Sequence, residues 1–259
     1  MSLVRTVVRA AIATVELDRP EVGNALSGAL VSELTAAVVA APADGARAVV
    51  LAGAGRHFCT GADLAELAAT ADAPEGERLA DAMRLAELYA AVLRCPLVTV
   101  AAVHGAAFGG GAGLAAACDF VVAGEDARFQ FSEARLGFVP ALISVFLPRR
   151  VAPATLARLF LDPEPLGAAA ARDAGLADEI AGDPRAAAER VAARACRKVA
   201  GSAVAETKRL QLELALPDLD RRLELAARVN ARQRAGAECR RGLARFVATK
   251  RFPDWLGDA

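Results

Sequence analysis

Apolar residues in this chain alternate between two kinds of pattern. Short runs in which most positions are apolar, Ile12 to Leu17, Ala48 to Ala52 and Leu97 to Val103, have the length and β-branched content of buried strands. Between the first two, Leu30, Leu34 and Val38 recur every four residues, which predicts a helix starting about Ser27 and closed by Pro42. Leu79, Met83, Ala86, Ala90 and Leu93 fall at spacings of four and three. They predict a second helix that begins near Pro74, a favoured first helical position, and ends before Pro96. Shorter strands are expected at Phe120 to Ala123 and in the alternating stretch from Ala127 to Ser132. Strands recurring at gaps of about 30 residues suggest stacked β/α units, without a strict sequence repeat. From about Pro153 nearly everything reads as Ala/Leu/Arg/Glu helix, punctuated by Gly167, Gly182, Pro184, Gly201, Pro217 and Gly236. A soft boundary falls near 195–200, which divides the chain into a core, 1–197, and a helical region, 198–259.

The run Leu97 to Val103 empties into Gly105 and then three consecutive glycines, Gly109 to Gly111, before an Ala/Leu helix. The first N–H groups of such a helix have no partner inside it and aim past the strand end. Without Cβ atoms the corner lets a flat carbonyl approach the backbone closely. Spacing at 105, 109, 110, 111 and 113 fits neither Gly-x-Gly-x-x-Gly nor a phosphate-cradling loop, since no Lys follows; close strand-helix packing remains a plainer explanation. A second corner, Arg56 to Leu67, follows the strand at 48–52 and again precedes a helix. Its Gly61-Ala62-Asp63 turn offers the Ala62 N–H, with Asp63 as a helix cap or a site residue. Two strand ends thus each present one N–H. Such a pair converging on one oxygen stabilises an enolate or tetrahedral oxyanion, and losing one donor typically costs about 3 to 4 kcal/mol.

Composition narrows what the corners serve. The 259 residues carry 31 Lys+Arg and 31 Asp+Glu, so there is no net field to gather nucleic acid or an anionic membrane. Five widely spaced cysteines, Cys59, Cys95, Cys118, Cys196 and Cys239, signal neither a disulfide framework nor a zinc site and read as reduced, mostly buried thiols. With no apolar leader at Met1 to Arg5 and no run of about 18 uncharged apolar residues, a cytoplasmic protein is expected. A 55% hydrophobic content inflated by alanine fits a helix-rich chain with tight packing.

Several segments then match a known pattern: Leu17 to Leu26, His57 to Leu64, Val103 to Gly111, Ala117 to Val122, Phe131 to Gly137, and Phe246 to Trp255. In order and spacing, over essentially the whole chain, they resemble the enoyl-CoA hydratase/isomerase, or crotonase, family. The resemblance implies an α/β crotonase-like (ClpP/crotonase) fold of repeated ββα units, with a C-terminal helical region used in trimerisation and often a hexamer of two trimers. It implies an acyl-CoA thioester substrate whose carbonyl oxygen is held by the amides of Ala62 and Gly110. Coenzyme A is then part of the substrate, with no cofactor or metal. The loop Asp18 to Leu26, with Val22 and Ala25, and the stretch Ala62, Asp63, Leu64 and Ala65 would line the CoA groove, and Lys250 matches a phosphate-contacting lysine.

Family hydratases commonly use two glutamates. The second matches Glu133; the first falls on Gly113, which has no side chain to offer. If Glu133 lies in an apolar pocket, its pKa is expected to rise toward the working pH, as general acid/base chemistry requires. One carboxylate can serve a concerted hydration, and it can also shuttle one proton between carbons as a Δ3-Δ2-enoyl-CoA isomerase. Ser132 to Ser144 looks like bacterial methylglutaconyl-CoA-type hydratases, in which a Gly likewise stands at the position of Gly113. The expected activity is therefore hydration of a 2-enoyl-CoA in fatty acid metabolism, with the isomerase and a non-catalytic acyl-CoA-binding paralogue as alternatives. Glu66, Ser144 and Arg135 are further candidates to hold water or a substrate carboxylate, each with a plainer role as a cap, surface residue or ion pair. His104 reads as structural, and no Gly-x-Ser-x-Gly elbow points to a Ser/His/Asp hydrolase.

Overall fold

The computed structural model describes residues 2–257. The chain opens with the hairpin β1 (Val4–Arg9) and β2 (Ile12–Leu17), then α1 (Gly28–Ala40), β3 (Ala48–Gly53), α2 (Leu64–Ala69) and α3 (Glu75–Arg94). It continues through β4 (Val98–Val103), β5 (Ala106–Phe108), α4 (Gly110–Ala117), β6 (Phe120–Gly124) and β7 (Arg128–Gln130). Beyond these lie α5 (Ala141–Phe146), α6 (Pro153–Leu161), β8 (Leu166–Gly167), α7 (Ala168–Asp173), β9 (Glu179–Ala181) and α8 (Pro184–Lys198). Three helices close the chain: α9 (Gly201–Ala215), α10 (Leu219–Arg234) and α11 (Ala237–Thr249). No helix among the described residues is long and apolar enough to cross a membrane.

Two sheets form. One has the order β1-β2-β3-β4-β6-β9, parallel except for the β1–β2 hairpin, and the other the order β5-β7-β8. Every residue of β3 and β4 is buried, as continuous apolar runs require when both faces of a parallel sheet are covered. Because side chains alternate, the two faces join different clusters. Val49, Leu51, Ala101 and Val103 pack into the main core, while Val50, Ala52, Val100 and Ala102 meet Ala187, Ala188, Val191 and Ala192 of α8. Alanines on that face of α8 let the helix lie close to the sheet.

Each repeat is a long strand, a short strand in the second layer, then a helix. β4, β5 and α4 show it completely, which agrees with the ββα architecture. The corner between the two strands is set by Gly105, at φ +54°, where a Cβ would stand 2.1 Å from the Arg56 carbonyl oxygen. One expectation is corrected: the strand ending at Val103 does not lead directly into the glycine run, because β5 intervenes. The stretch after Pro153 is nearly all helix, as expected, with the short β8 and β9 joining the two sheets. These strands have two or three residues, too few to show a period. The boundary near 198 marks a change of element type: Leu212, Leu216, Leu219, Leu223, Ala226 and Ala227 still belong to the main core. α10 packs on α3 and α5, and α11 on α2 and the 3-10 turn Glu133–Leu136. All the cysteines are free, and all but Cys196 are buried.

Candidate active site

Residues 59–62 run between two neighbours. On one side the Leu26 N–H donates to the Gly61 carbonyl (2.7 Å) and the Asp63 N–H to the Leu26 carbonyl (3.2 Å). On the other, the Cys59 N–H donates to Ala106 (3.1 Å) and the Phe108 N–H to Cys59 (3.0 Å), a parallel bridge between Cys59 and Ala107. Ala62 and Gly110 each stand three residues beyond that bridge. In a planar trans peptide the N–H points opposite the preceding carbonyl. The Gly61 carbonyl faces Leu26, so the Ala62 N–H faces the other way. The Gly109 carbonyl accepts from the Gly113 N–H (3.0 Å) within the first turn of α4, so the Gly110 N–H points out of the helix N-terminus.

Glycines make both turns possible. Gly61 has φ +94° and Gly109 φ +47° with ψ −119°, regions that L side chains rarely adopt. A Cβ on Gly61 would lie 2.7 Å from the Phe108 carbonyl oxygen and 3.6 Å from the Gly110 nitrogen, which shows how closely the two corners abut. Asn24, fully buried, pins the arrangement: its side-chain amide donates to the carbonyls of Ala54 (2.9 Å) and His57 (2.7 Å) and accepts from the Arg19 N–H (2.9 Å).

Ala62, Gly110 and Glu133 line one cavity. β7 delivers Glu133 there, because it pairs with β5 and the Gly109 N–H donates to the Gln130 carbonyl (2.7 Å). The carboxyl tip lies against Gly109, with Oε1 3.2 Å from that residue's Cβ position. Oε2 is buried with no hydrogen-bond partner among the described residues. Burial is the cause that pushes the Glu133 pKa up to about 7, opposed by a hydrogen bond from its own backbone N–H. The result is a carboxyl poised to gain or lose a proton beside two outward-facing amides.

A family description for enoyl-CoA hydratase/isomerase matches residues 8–258. The chain is 39% identical to a Thermus thermophilus protein with a provisional enoyl-CoA hydratase name, over 91% of this chain and 94% of that one. It is 38% identical to a similarly named Rhodobacter capsulatus protein, over 98% of each. The crystal structure of an enoyl-CoA hydratase from Mycobacterium avium superposes with a TM-score of 0.86 at 33% identity, covering 98% of this chain and 99% of that one. The chain belongs to the enoyl-CoA hydratase/isomerase family.

Against this crotonase frame, the position matched to the family's first glutamate is closed. A Cβ on Gly113 would meet Ile143 Cγ1 at 2.8 Å and the Tyr89 hydroxyl at 2.9 Å. Tyr89 is fully buried, tilts against Phe146 and donates to the Gly110 carbonyl (3.0 Å), so it braces the peptide that follows the outward amide. Leu64 lines the cavity with Ala62; Val22, Ala25, Asp63, Ala65 and Lys250 do not. Asp63 caps α2, accepting from Ala65 and Glu66 (3.1 Å each), and pairs with Arg19 (2.7 Å). Burial works to raise its pKa, but the Arg19 hydrogen bond and the α2 amides outweigh this and hold it below the usual carboxylate range. Val22 is exposed on a 3-10 turn, Ala25 is buried, and Lys250 is exposed just past α11.

Glu66 and Ser144 take the plainer roles, and Arg135 stacks on a ring rather than forming the expected surface ion pair. Glu66 accepts from the Gly28 N–H (3.2 Å) at the start of α1, and the Ser144 hydroxyl donates to the Pro140 carbonyl (2.8 Å). Arg135 stacks 3.8 Å over the Phe252 ring. His57 Nδ1 accepts from the Ala106 N–H (3.1 Å), and His104 Nε2 contacts the Gly55 carbonyl oxygen (3.0 Å). Sequence reasoning missed Tyr89, Asn230, Arg234 and Cys239, which share the cavity with Glu133. They sit on α3, α10 and α11 without a local motif; only the helical period placed Tyr89 on a continuous helix.

Proposed function

We propose that this chain is an enoyl-CoA hydratase that adds water across the C2–C3 double bond of a 2-enoyl-CoA thioester. What carries the reading is the meeting, in one cavity, of two outward backbone amides and one buried carboxyl of raised pKa. The Ala62 and Gly110 amides form an oxyanion hole around the thioester oxygen. As the water oxygen bonds to C3, ionised Glu133 takes a water proton and the π electrons pass to the thioester oxygen. That charge is greater in the transition state than in the substrate, so the amides lower the barrier rather than merely binding. Glu133 then delivers a proton to C2, the carbonyl re-forms, and the enzyme returns to its starting state. No cofactor is needed, since coenzyme A arrives with the substrate.

Val22, Ala25, Asp63, Leu64, Ala65 and Lys250 are assigned to the CoA arm in the same reading. Exposed apolar residues on the C-terminal helices, Leu210, Leu214 and Leu225, support a homotrimer or a hexamer of trimers. A cytoplasmic place in fatty acid metabolism completes it. A second reading, Δ3-Δ2 isomerisation, is favoured by the lone carboxylate: Glu133 would remove a proton from C2 of a 3-enoyl-CoA and return it to C4. The deciding experiment follows conjugated-thioester absorbance with 2-enoyl-CoA and, separately, 3-enoyl-CoA. Loss with the first establishes hydration and gain with the second isomerisation. Binding without change in either leaves an acyl-CoA-binding paralogue and overturns both.

A further inference from the structure

Two polar side chains of this cavity carry donors with no acceptor among the described residues. Asn230 and Arg234 stand one turn apart on α10 and line both the Glu133 cavity and the adjoining pocket beside Ala62 and Asp81. Asn230 exposes 9% of its surface and Arg234 2%. Arg234 donates through one terminal nitrogen to Asp81 Oδ2 (2.5 Å) and through the other to Thr70 Oγ1 (2.8 Å), yet its Nε–H is buried with no acceptor. The Asn230 amide makes no hydrogen bond to any described residue. Buried donors are nearly always satisfied, so the buried Arg234 Nε–H without an acceptor, one turn from an unpartnered amide that opens on the same cavity, points to an acceptor brought by a ligand. The surrounding wall, Leu67, Leu85 and Phe138, is apolar and suits a hydrocarbon segment. Asp81 already balances the guanidinium charge, so a neutral oxygen suffices as the acceptor.

We propose that the substrate's acyl group carries a hydrogen-bond-accepting oxygen beyond its reacting carbons, and that Asn230 and Arg234 hold it. This rests on the enoyl-CoA reading of the site and adds the class of acyl group it takes. A site built to hydrogen-bond an oxygen disfavours the analogue that lacks it, because its buried polar groups are then left without partners.

The test measures binding calorimetrically with saturated acyl-CoAs, which cannot be hydrated, so that failure of the hydratase reading remains separately visible in the absorbance assay. Hexanoyl-CoA is compared with its terminal hydroxy and terminal carboxy counterparts, and the comparison is repeated with four- and eight-carbon chains. Oxygenated chains are expected to bind about tenfold or more tightly at one of these lengths. Which of the two binds better identifies the kind of oxygen. Asn230→Leu, which breaks no hydrogen bond within the protein, is expected to collapse the ratio; Arg234→Lys, which keeps a charge beside Asp81, is expected to reduce it. Equal affinities at every length overturn the proposal. A preference that survives in Asn230→Leu overturns it as well.

Discussion

The cavity has two walls made by different means. On one side stand backbone amides, Ala62 and Gly110, aimed by peptide planes that glycines at 61 and 109 allow to turn. On the other stand side chains of α3, α10 and α11: Leu85, Tyr89, Asn230, Arg234 and Leu243. The backbone wall is fixed by two short ladders and tolerates no added Cβ at Gly61. The side-chain wall is set by how three helices pack and, Tyr89 apart, whose hydroxyl braces the Gly110 carbonyl, its residues make no hydrogen bond to the backbone wall. Such a division suits a family that keeps one reaction step, charge building on a thioester oxygen, while acyl groups vary. In the proposed mechanism the chemistry falls to the rigid wall and selectivity to the adjustable one.

Removing the carboxyl between the walls should produce the largest effect. Glu133→Gln is expected to lower kcat for hydration by about 10²- to 10⁴-fold while leaving acyl-CoA affinity nearly unchanged, measured by stopped assay and by calorimetry. A Gln variant that turns over normally removes Glu133 from its role. Disturbing the backbone wall should come next. Gly61→Ala places a Cβ 2.7 Å from the Phe108 carbonyl oxygen at φ +94°, which forces the Ala62 amide out of line. A kcat loss of about 10²-fold is expected, with circular dichroism confirming that the fold persists; an unchanged kcat would separate this corner from the reaction.

The pH dependence gives a smaller but more specific effect. With ionised Glu133 as the base and its pKa near 7, kcat/KM should rise about tenfold per pH unit below that value and level off above it. Stability should move the other way. The folded carboxyl, at about 7, holds its proton more tightly than the unfolded one at 4.5, so this group's contribution declines as pH climbs from 4.5 through 7. Glu133→Gln cannot ionise, so it should melt above the parent protein at pH 8 and close to it at pH 4.5. Equal melting differences at both pH values would show that the carboxyl is solvated.

Legibility in the sequence divides along the same line. Both amides of the backbone wall were readable, because each lies in a contiguous strand, glycine and helix pattern of about ten residues. Glu133 was readable only through its flanking motif; nothing in Phe131-Ser-Glu133 by itself says that Oε2 is buried without a partner. β2, β3 and β4 announced themselves by apolar runs, α1 and α3 by period, and α4 by the glycine and Ala/Leu stretch that forms it, whereas β1, with all but its first residue exposed, presents no such run. β5, β8 and β9 did not, since their pairing is decided by neighbours far along the chain. Arg234 was hidden most deeply. In sequence it is one arginine among many on an amphipathic helix, and only packing against Asp81 and Thr70 buries it.

The smallest effect expected comes from Gly113, where the two walls touch. An added methyl there meets side chains, Ile143 Cγ1 at 2.8 Å and the Tyr89 hydroxyl at 2.9 Å, rather than backbone, so the structure can yield. Gly113→Ala should therefore destabilise by about 1 to 3 kcal/mol and lower kcat only a few-fold, through displacement of the Tyr89 hydroxyl from the Gly110 carbonyl. Adding Ile143→Val, which shortens the nearer neighbour, should recover part of the lost melting temperature; both variants are compared by thermal unfolding. Gly113→Glu should not restore a two-carboxylate site, because the longer side chain has to displace Tyr89 and Ile143 together. A Gly113→Glu protein that folds and hydrates faster than the parent would mean that this pocket is not closed by those two residues, and that the lone-carboxylate chemistry is no consequence of how the walls meet.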